Sequence, residues 1–491
     1  MKEIEIAREA ATGLRQTTVR ERILKIQFLK KVILNKRESL IDRIQQETGK
    51  SRSDALISEI FGILDHLTYL EKNGEKLLKD KKVSTPIALM GKKSRIYFEP
   101  MGVILIISPW NYPFYQAIVP ITAAFLAGNA VIYKPSEYTP LEGMVEEVLL
   151  EATFQSDWVQ IIYGDGKAGA SLIDQKPDKI FFTGSERTGQ KIMEHASKYL
   201  IPVELELGGK DPMIVFEDVN IKRAVAGAVW GGLTNLGQSC TSVERIYVQK
   251  PIYEDFKQEL IKQVQAIKQE TDKDGNADVG AMTTGFQLEI VKKQLEDAEN
   301  KKAEVITFPR DEESKLISPA IIDNVTEGME FMRDETFGPL LPIMPFTTEE
   351  EAISLANNSP YGLSASVWSK DLKRADRVAR AIVTGNVSIN NVMLTEGNPA
   401  LPFGGIKKSG FGRYKGEMGL HSFCNVKSVL IDKDSSNIES NWFPYTRKKY
   451  ELFSDMMVNL FSKGIGSFVK FVIGGLKLES YSNKVGKKGR V

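Results

Sequence analysis

In a chain of 491 residues with only two cysteines, Cys240 ends the run TNLGQSC, Thr234–Cys240. Asn, Gly, Gln and Ser build cores poorly. A polar, glycine-containing turn exposes backbone N–H groups, which favour a thiolate and can stabilise an oxyanion. A lone cysteine is more often a buried structural residue, and the local string leaves both readings open. Other polar residues sit where partners for a nucleophile would be wanted. Glu206 begins ELGGK, Asn111 lies in SPWNYP, Lys134 and Glu137 bracket KPSE, and Ser185 lies in FTGSERTG. Taken singly, Glu206 reads as a strand-end acid and Asn111 as a turn residue. FTGSERTG is not GxGxxG and is weak evidence alone.

The elements around these residues give them a common edge. Short apolar runs alternate with helical patterns from residue 102 onward. Strands are expected at 102–108, 130–134, 158–163, 179–184 and 202–209, with helices at 115–127, 140–152, 166–174 and 186–199. An uninterrupted run such as GVILIIS suits a strand buried on both faces. This βαβ rhythm predicts an α/β fold with a doubly wound parallel sheet, and a second α/β pass runs from 211 to about 395. SPWNYP, KPSE, FTGS and ELGGK then each end a strand, at the carboxyl edge where open α/β sheets hold ligands. There Glu206 projects into a cleft, Asn111 has an amide free to donate, and Lys134 and Glu137 could bracket a ribose. The glycines of FTGS, Gly184 among them, and Ser185 suit a phosphate at a helix N-terminus. Before the sheet, 19–48 and 53–72 read as amphipathic helices, the second with Ser53 as N-cap. The basic stretch 79–100 reads as an extended arm.

Bulk composition narrows the partners. The net charge is +1, which gives no footprint for nucleic acid. Two cysteines fit a reducing, cytoplasmic setting better than a disulfide framework. Three scattered histidines, with no HExxH and no CxxC, predict no metal site. The charged N-terminus lacks the apolar core of a signal peptide.

Together these motifs resemble the aldehyde dehydrogenase superfamily over about residues 8–432. They are PWNYP with Trp110 and Asn111, KPSE, FTGS, ELGGK and GQSC, then ETFGP with Glu335 and Phe337, and PFGGIKKSGFGR at 402–413. The 34 residues between Glu206 and Cys240 match that family. The resemblance implies oxidation of an aldehyde to a carboxylate with NAD⁺, NADP⁺ remaining possible. Cys240 would attack the carbonyl, Asn111 and the Cys240 N–H would hold the oxyanion, and Glu206 would activate the water that hydrolyses a thioester. Trp110, Lys134, Glu137, Gly184, Ser185, Glu335 and Phe337 would hold the dinucleotide. A carboxylate at Glu137 repels a 2′-phosphate and favours NAD⁺. The short N-terminal region resembles the class-3-like, dimeric branch, although TSVERIYV after the cysteine departs from it. The division expected is a cofactor domain at 1–80 with 97–206, a catalytic domain at 207–396, a bridging element at 81–96 with 397–435, and a tail at 436–491. A CoA-acylating enzyme and a catalytically idle binding protein are the competing readings. Glu206 argues against the first, and intact Cys240, Glu206 and Asn111 against the second. Tyr112, Tyr115 and Trp230 read as an apolar substrate lining or as core.

The tail differs in kind. Residues 441–491 hold ten Lys or Arg and three acids. In 461–478, Phe461, Ile465, Phe468, Phe471, Val472 and Leu476 fall at roughly helical spacing, and Lys463, Lys470 and Lys477 recur every seven residues. That pattern suits an amphipathic helix lying on a membrane surface, with NKVGKKGRV adding charge for anionic lipid. It also suits a helix packed on its own subunit or on a dimer partner.

Overall fold

The computed structural model describes residues 2–308, 316–433 and 437–488. They form two compact units, residues 1–80 with 97–427 and residues 81–96 with 428–491.

The strands in chain order are β1 (Lys81–Val83), β2 (Lys93–Pro100), β3 (Val103–Ile107), β4 (Ala130–Lys134), β5 (Val159–Ile161), β6 (Lys179–Thr183), β7 (Val203–Glu206) and β8 (Asp211–Val215). They continue as β9 (Val243–Gln249), β10 (Glu304–Thr307), β11 (Ala320–Asp323), β12 (Leu340–Phe346), β13 (Ser366–Trp368), β14 (Ser388–Ile389), β15 (Gly410–Phe411) and β16 (Cys424–Ile431). In the first unit, one sheet runs β15-β7-β6-β3-β4-β5 and another β10-β11-β12-β9-β8-β13-β14. The first is parallel except for β15, which pairs antiparallel with β7. Its strands β3, β4 and β6 are largely apolar and buried along their whole lengths. Helices on the sheet faces demand this, since neither face meets water. The strand order reverses beside β3: β4 and β5 follow on one side, β6 and β7 on the other. Such a switch point opens a crevice beyond the carboxyl ends of the strands.

Two apolar cores result. One joins the N-terminal helices to the first sheet and takes in Leu363, Phe403, Tyr414, Leu420 and Phe423. The other gathers side chains from Met213 to Val392 around the second sheet.

The N-terminal helix Val19–Thr48 starts at a capping box, Thr18 with Glu21, and stops at Gly49 in the left-handed conformation. Both features are local and satisfy end groups the helix leaves open. Ser53 is not an N-cap. Ser51 fills that role by accepting from Asp54 N–H, while the Ser53 hydroxyl donates to Gly275 O at 3.0 Å. The helical run continues to Leu77. The expected arm is instead the antiparallel hairpin β1–β2, in register Lys81↔Ile96.

His66, on the helix Gly62–Leu77, is 2% exposed. Burial and, after it, the Lys415 ammonium hold its imidazole down to about 3. The folded state therefore binds fewer protons than the unfolded state between about pH 3 and the ordinary histidine value near 6.5. Stability from this group is fully present above 6.5 and falls as pH drops toward 3. His66→Leu should flatten the acid limb of a melting-temperature profile over that window. An unchanged limb would mean His66 is not the group that titrates.

Candidate active site

A cavity of about 830 Å³ lies at the switch point. Its lining includes Trp110 and Asn111 after β3, Lys134 and Glu137 at the end of β4, Gly184 and Ser185 after β6, and Glu206 at the end of β7. Cys240, Glu335 and Phe337 line it from the second half of the chain. All ten residues singled out in the sequence face one space, and the four motif-bearing strands β7, β6, β3 and β4 are direct neighbours.

The cysteine loop is bent by force of its surroundings. Asn235, Leu236 and Gly237 all have positive φ, at +49°, +54° and +74°. Such conformations cost about 1–3 kcal/mol each for non-glycine residues unless the surroundings impose them. A Cβ at Gly237 would lie 2.3 Å from Gly338 O, so only glycine fits. Asn235 Nδ2 donates to Asn111 O and Gln238 O, and Gln238 Nε2 donates to Asn235 O. Gln238 Oε1 accepts from Thr283 N. The polar run of the sequence is thus a clamp that presents Cys240 half-buried at the cavity. Burial pushes its thiol well up, and the carboxylates of Glu396, Asp211, Glu335 and Glu206 push the same way. Cys424, by contrast, sits in the core, held up to about 12 by burial.

Asn111 is 3% exposed. Its side-chain amide donates to Gln238 O at 3.0 Å, so one of its two N–H groups is already used. Behind it lies a hub invisible in the sequence. The Lys50 ammonium, wholly buried, meets the equally buried Glu59 at 2.7 Å, donates to Asn111 O at 2.9 Å and lies 4.1 Å from the centre of the Tyr112 ring. Glu59 accepts from Phe114 and Tyr115 N–H. Lys50 and Glu59 thereby fix the backbone at Asn111 and just beyond the end of SPWNYP. Lys50→Met should cost about 3–5 kcal/mol, because it strands a buried carboxylate, and should slow turnover by loosening Asn111. Adding Glu59→Leu should recover most of the stability and little of the turnover. A single variant that melts like the parent would contradict the hub.

Glu206 is buried, and among the described residues neither carboxylate oxygen has a hydrogen-bond partner. Burial raises its carboxyl well above the ordinary range, and Glu204 adds to the rise. Near it, Lys415 is buried among the rings of Tyr115, Tyr414 and Phe403 and donates to Glu396 O. Burial lowers the Lys415 ammonium, while the charges of Glu396, Cys240 and Glu206 pull it back up.

Where β4 and β6 end at the cavity, Ser185 caps the helix Glu186–Ser197 by accepting from Thr188 N–H. The Lys134 ammonium is buried 3.5 Å from the Glu137 carboxylate, which remains exposed. Glu335 accepts from Gly209 N–H at 3.1 Å and packs so tightly on Gly208 that a Cβ there would come within 2.3 Å. Burial, then Glu244, holds the Glu335 carboxyl well above its usual range. The backbone N–H groups of Thr336 and Phe337 donate to Glu244, itself paired with Lys210 at 2.6 Å. Phe337 meets Trp110 edge-on with ring centres 5.3 Å apart. Thr183 Oγ1 is buried at the cavity without a partner. A capped helix N-terminus, a lysine–glutamate pair, an orphaned hydroxyl and an aromatic wall form a donor and acceptor set that fits a dinucleotide.

A second cavity of about 810 Å³ adjoins the cysteine loop. Asn111 and Cys240 line the first cavity, and their chain neighbours Tyr112 and Ser239 line the second. Tyr115 and Trp230 line it too, with Phe61, Leu233 and Met393. Among the described residues its charged lining is wholly acidic, from Asp54, Asp65, Asp278 and Glu396. Sequence reading passed over Lys50, Glu59, Glu244 and Lys415. Lys210 stood inside the quoted ELGGK, whereas nothing in the spacing of Lys50 and Glu59 announces a pair.

Fold and cavity together are those of a nucleotide-dependent oxidoreductase. The aldehyde dehydrogenase family profile matches residues 1–429, and the chain belongs to that family. It is 43% identical to 4,4'-diapolycopene aldehyde oxidase of Methylomonas sp., over 92% of this chain and 85% of that one. It is 34% identical to 4,4'-diaponeurosporen-aldehyde dehydrogenase of Staphylococcus aureus, over 84% and 89%. Among solved structures, a betaine aldehyde dehydrogenase point mutant from Staphylococcus aureus in complex with NAD⁺ superposes with a TM-score of 0.84. That protein is 32% identical, over 90% of this chain and 91% of its own.

Proposed function

We propose that this enzyme oxidises a long, neutral, apolar aldehyde to its carboxylic acid, using NAD⁺ in preference to NADP⁺. The observation that carries the reading is the cysteine loop between two cavities, one suited to a dinucleotide and the other lined by aromatic, aliphatic and acidic side chains with no cation among the described residues. Two relatives whose names specify apolar polyene aldehydes support the substrate class. Other relatives are named as putative NADP⁺ succinate-semialdehyde dehydrogenases. A substrate carboxylate would meet four acids in the second cavity and, among the described residues, no cation, an uncompensated buried charge.

In this reading the Cys240 thiol gives its proton to water, and the sulfur bonds to the aldehyde carbon as the thiolate. A raised carboxyl pKa makes the ionised Glu206 a stronger base. The second N–H of Asn111 and the Cys240 backbone N–H donate to the oxyanion, a donor of this kind being worth roughly 3–4 kcal/mol. A bound nicotinamide supplies the acceptor for the hydride that leaves the aldehyde carbon, and a thioester stays on Cys240. Glu206 then takes a proton from water, the oxygen adds to the thioester carbon, and the C–S bond breaks to release the acid. An unpartnered carboxylate at this point supports hydrolysis rather than transfer to CoA. Lys134, Glu137, Gly184 and Ser185 would hold the adenosine and pyrophosphate portions, and Trp110, Glu335 and Phe337 would hold the rest.

The domain roles belong to the same proposal: 1–80 with 97–206 for the cofactor, 207–396 for catalysis, 81–96 with 397–435 for bridging. So do assembly as a homodimer and a peripheral contact with lipid through 441–491. The test of the substrate class is a ratio. With NAD⁺, kcat/KM for a long saturated or polyene aldehyde should exceed that for succinate semialdehyde by at least ~100-fold, the consequence of about 3 kcal/mol. A ratio near one would end it.

A further inference from the structure

The second unit carries a surface that the reaction does not use. It holds the hairpin β1–β2, the strand β16 beside it, and two helices, Arg447–Phe461 and Ile465–Lys488. The helices pack on each other, Gly474 against Met456. The expected single run at 461–478 is in fact broken, because Phe461 ends one helix and Ile465 starts the next. Phe471 and Leu478 face inward, 7% and 1% exposed.

The outward faces are apolar. On the second helix Ile465, Phe468, Val469, Val472, Ile473 and Leu476 are all exposed. Their spacing of i, i+3, i+4, i+7, i+8 and i+11 makes one continuous stripe at about 100° per residue. On the first helix Tyr450, Phe453, Met457 and Phe461 repeat the pattern, also exposed. A stripe of this kind normally faces a core, and a contiguous exposed one marks an interaction site. Lys463, Lys470, Lys477 and Lys484 recur every seven residues. On the second helix Lys470, Lys477 and Lys484 form a row about a third of a turn from the stripe, on the flank opposite Phe471 and Leu478, and Lys463 lies in the break before that helix. Trp442, Phe443 and Tyr445 are exposed just before the first helix. Aromatic rings of this kind settle at the level of lipid headgroups. Among the described residues no helix is long and apolar enough to cross a membrane. The end of the basic run, Gly489–Val491, lies outside the described residues.

We propose that this helical hairpin docks in the plane of an anionic lipid surface, its two apolar stripes in the acyl boundary and its lysine row among the headgroups. Charge favours this occupant: 441–491 carries ten basic residues against three acids, and a second copy would bring the same positive charge to the contact. The inference rests on the apolar-aldehyde reading only for its purpose, since such a substrate partitions into lipid. The binding itself does not depend on that reading.

The experiment is sedimentation of the full-length enzyme with vesicles of phosphatidylcholine, alone or with phosphatidylglycerol. Light scattering reports its mass in parallel, and oxidation of a short soluble aldehyde reports folding. The enzyme should sediment with the anionic vesicles and be released by salt. Ile465→Glu with Phe468→Glu should abolish binding, and Lys463→Gln, Lys470→Gln and Lys477→Gln together should weaken it by about fivefold per lysine. Activity on the short aldehyde should be unchanged in both. The proposal is overturned if the parent enzyme stays in the supernatant, or if the glutamate variant still sediments. A glutamate variant that halves the mass without altering vesicle binding also overturns it, and assigns the stripe to a second copy. Loss of vesicle binding with intact selectivity for apolar aldehydes would leave the functional reading standing, and the reverse result would leave the docking surface standing.

Discussion

Cys240→Ser should lower aldehyde oxidation by roughly 10⁴-fold or more, the scale on which removal of a covalent nucleophile acts, while dinucleotide binding stays within a factor of two or so. The sulfur stands in a site that opposes its ionisation, through burial and four carboxylates. A thiol overcomes that opposition when a base takes its proton during attack. A hydroxyl starts several units higher and does not. The exchange of one atom leaves the clamp of Asn235 and Gln238 untouched, because both act through their own side chains on the backbone. Binding of NAD⁺ by fluorescence and turnover by absorbance measure the two halves. Oxidation at a substantial fraction of the parent rate would remove Cys240 from the reaction.

Glu206→Gln should separate the two halves of the cycle. Acylation would still yield about one equivalent of reduced cofactor per site. The steady-state rate should then fall by roughly 10²–10⁴, the usual contribution of a positioned general base. The structural cost should be small, since neither Glu206 oxygen is hydrogen-bonded among the described residues and the amide fills the same space without the charge that burial and Glu204 both disfavour. Stopped-flow absorbance would show a burst followed by slow turnover. An undiminished steady state would mean that another group activates water.

Strands and strand ends were legible in the sequence because their signal is local. VILII at 103–107 and AVIYK at 130–134 are buried on both faces, so their composition alone marks them. The turn residues after them had no such use in a core, and the switch point gathers them into one cavity. Less was legible where the cause is tertiary. Ser53 has the chemistry of a cap, but the helix begins at Ser51, where the chain leaves Gly49. Phe471 shares the spacing of the exposed tail residues, yet it turns inward because the neighbouring helix covers that side. Lys50, Glu59 and Lys415 look like surface charges until the fold buries them beside Asn111 and Glu206. Charged residues are almost never fully buried unless paired, so pattern reading assigns them to solvent.

The most direct test of the central claim is to find the acyl group. Glu206→Gln enzyme is mixed with NAD⁺ and a long apolar aldehyde, quenched in acid during the burst, digested and weighed by mass spectrometry. The peptide containing Cys240 should carry the mass of the acyl chain at close to one per site, and the peptide containing Cys424 should carry none. Carboxylic acid formed with no acyl mass on Cys240, or with that mass on another residue, would contradict the account.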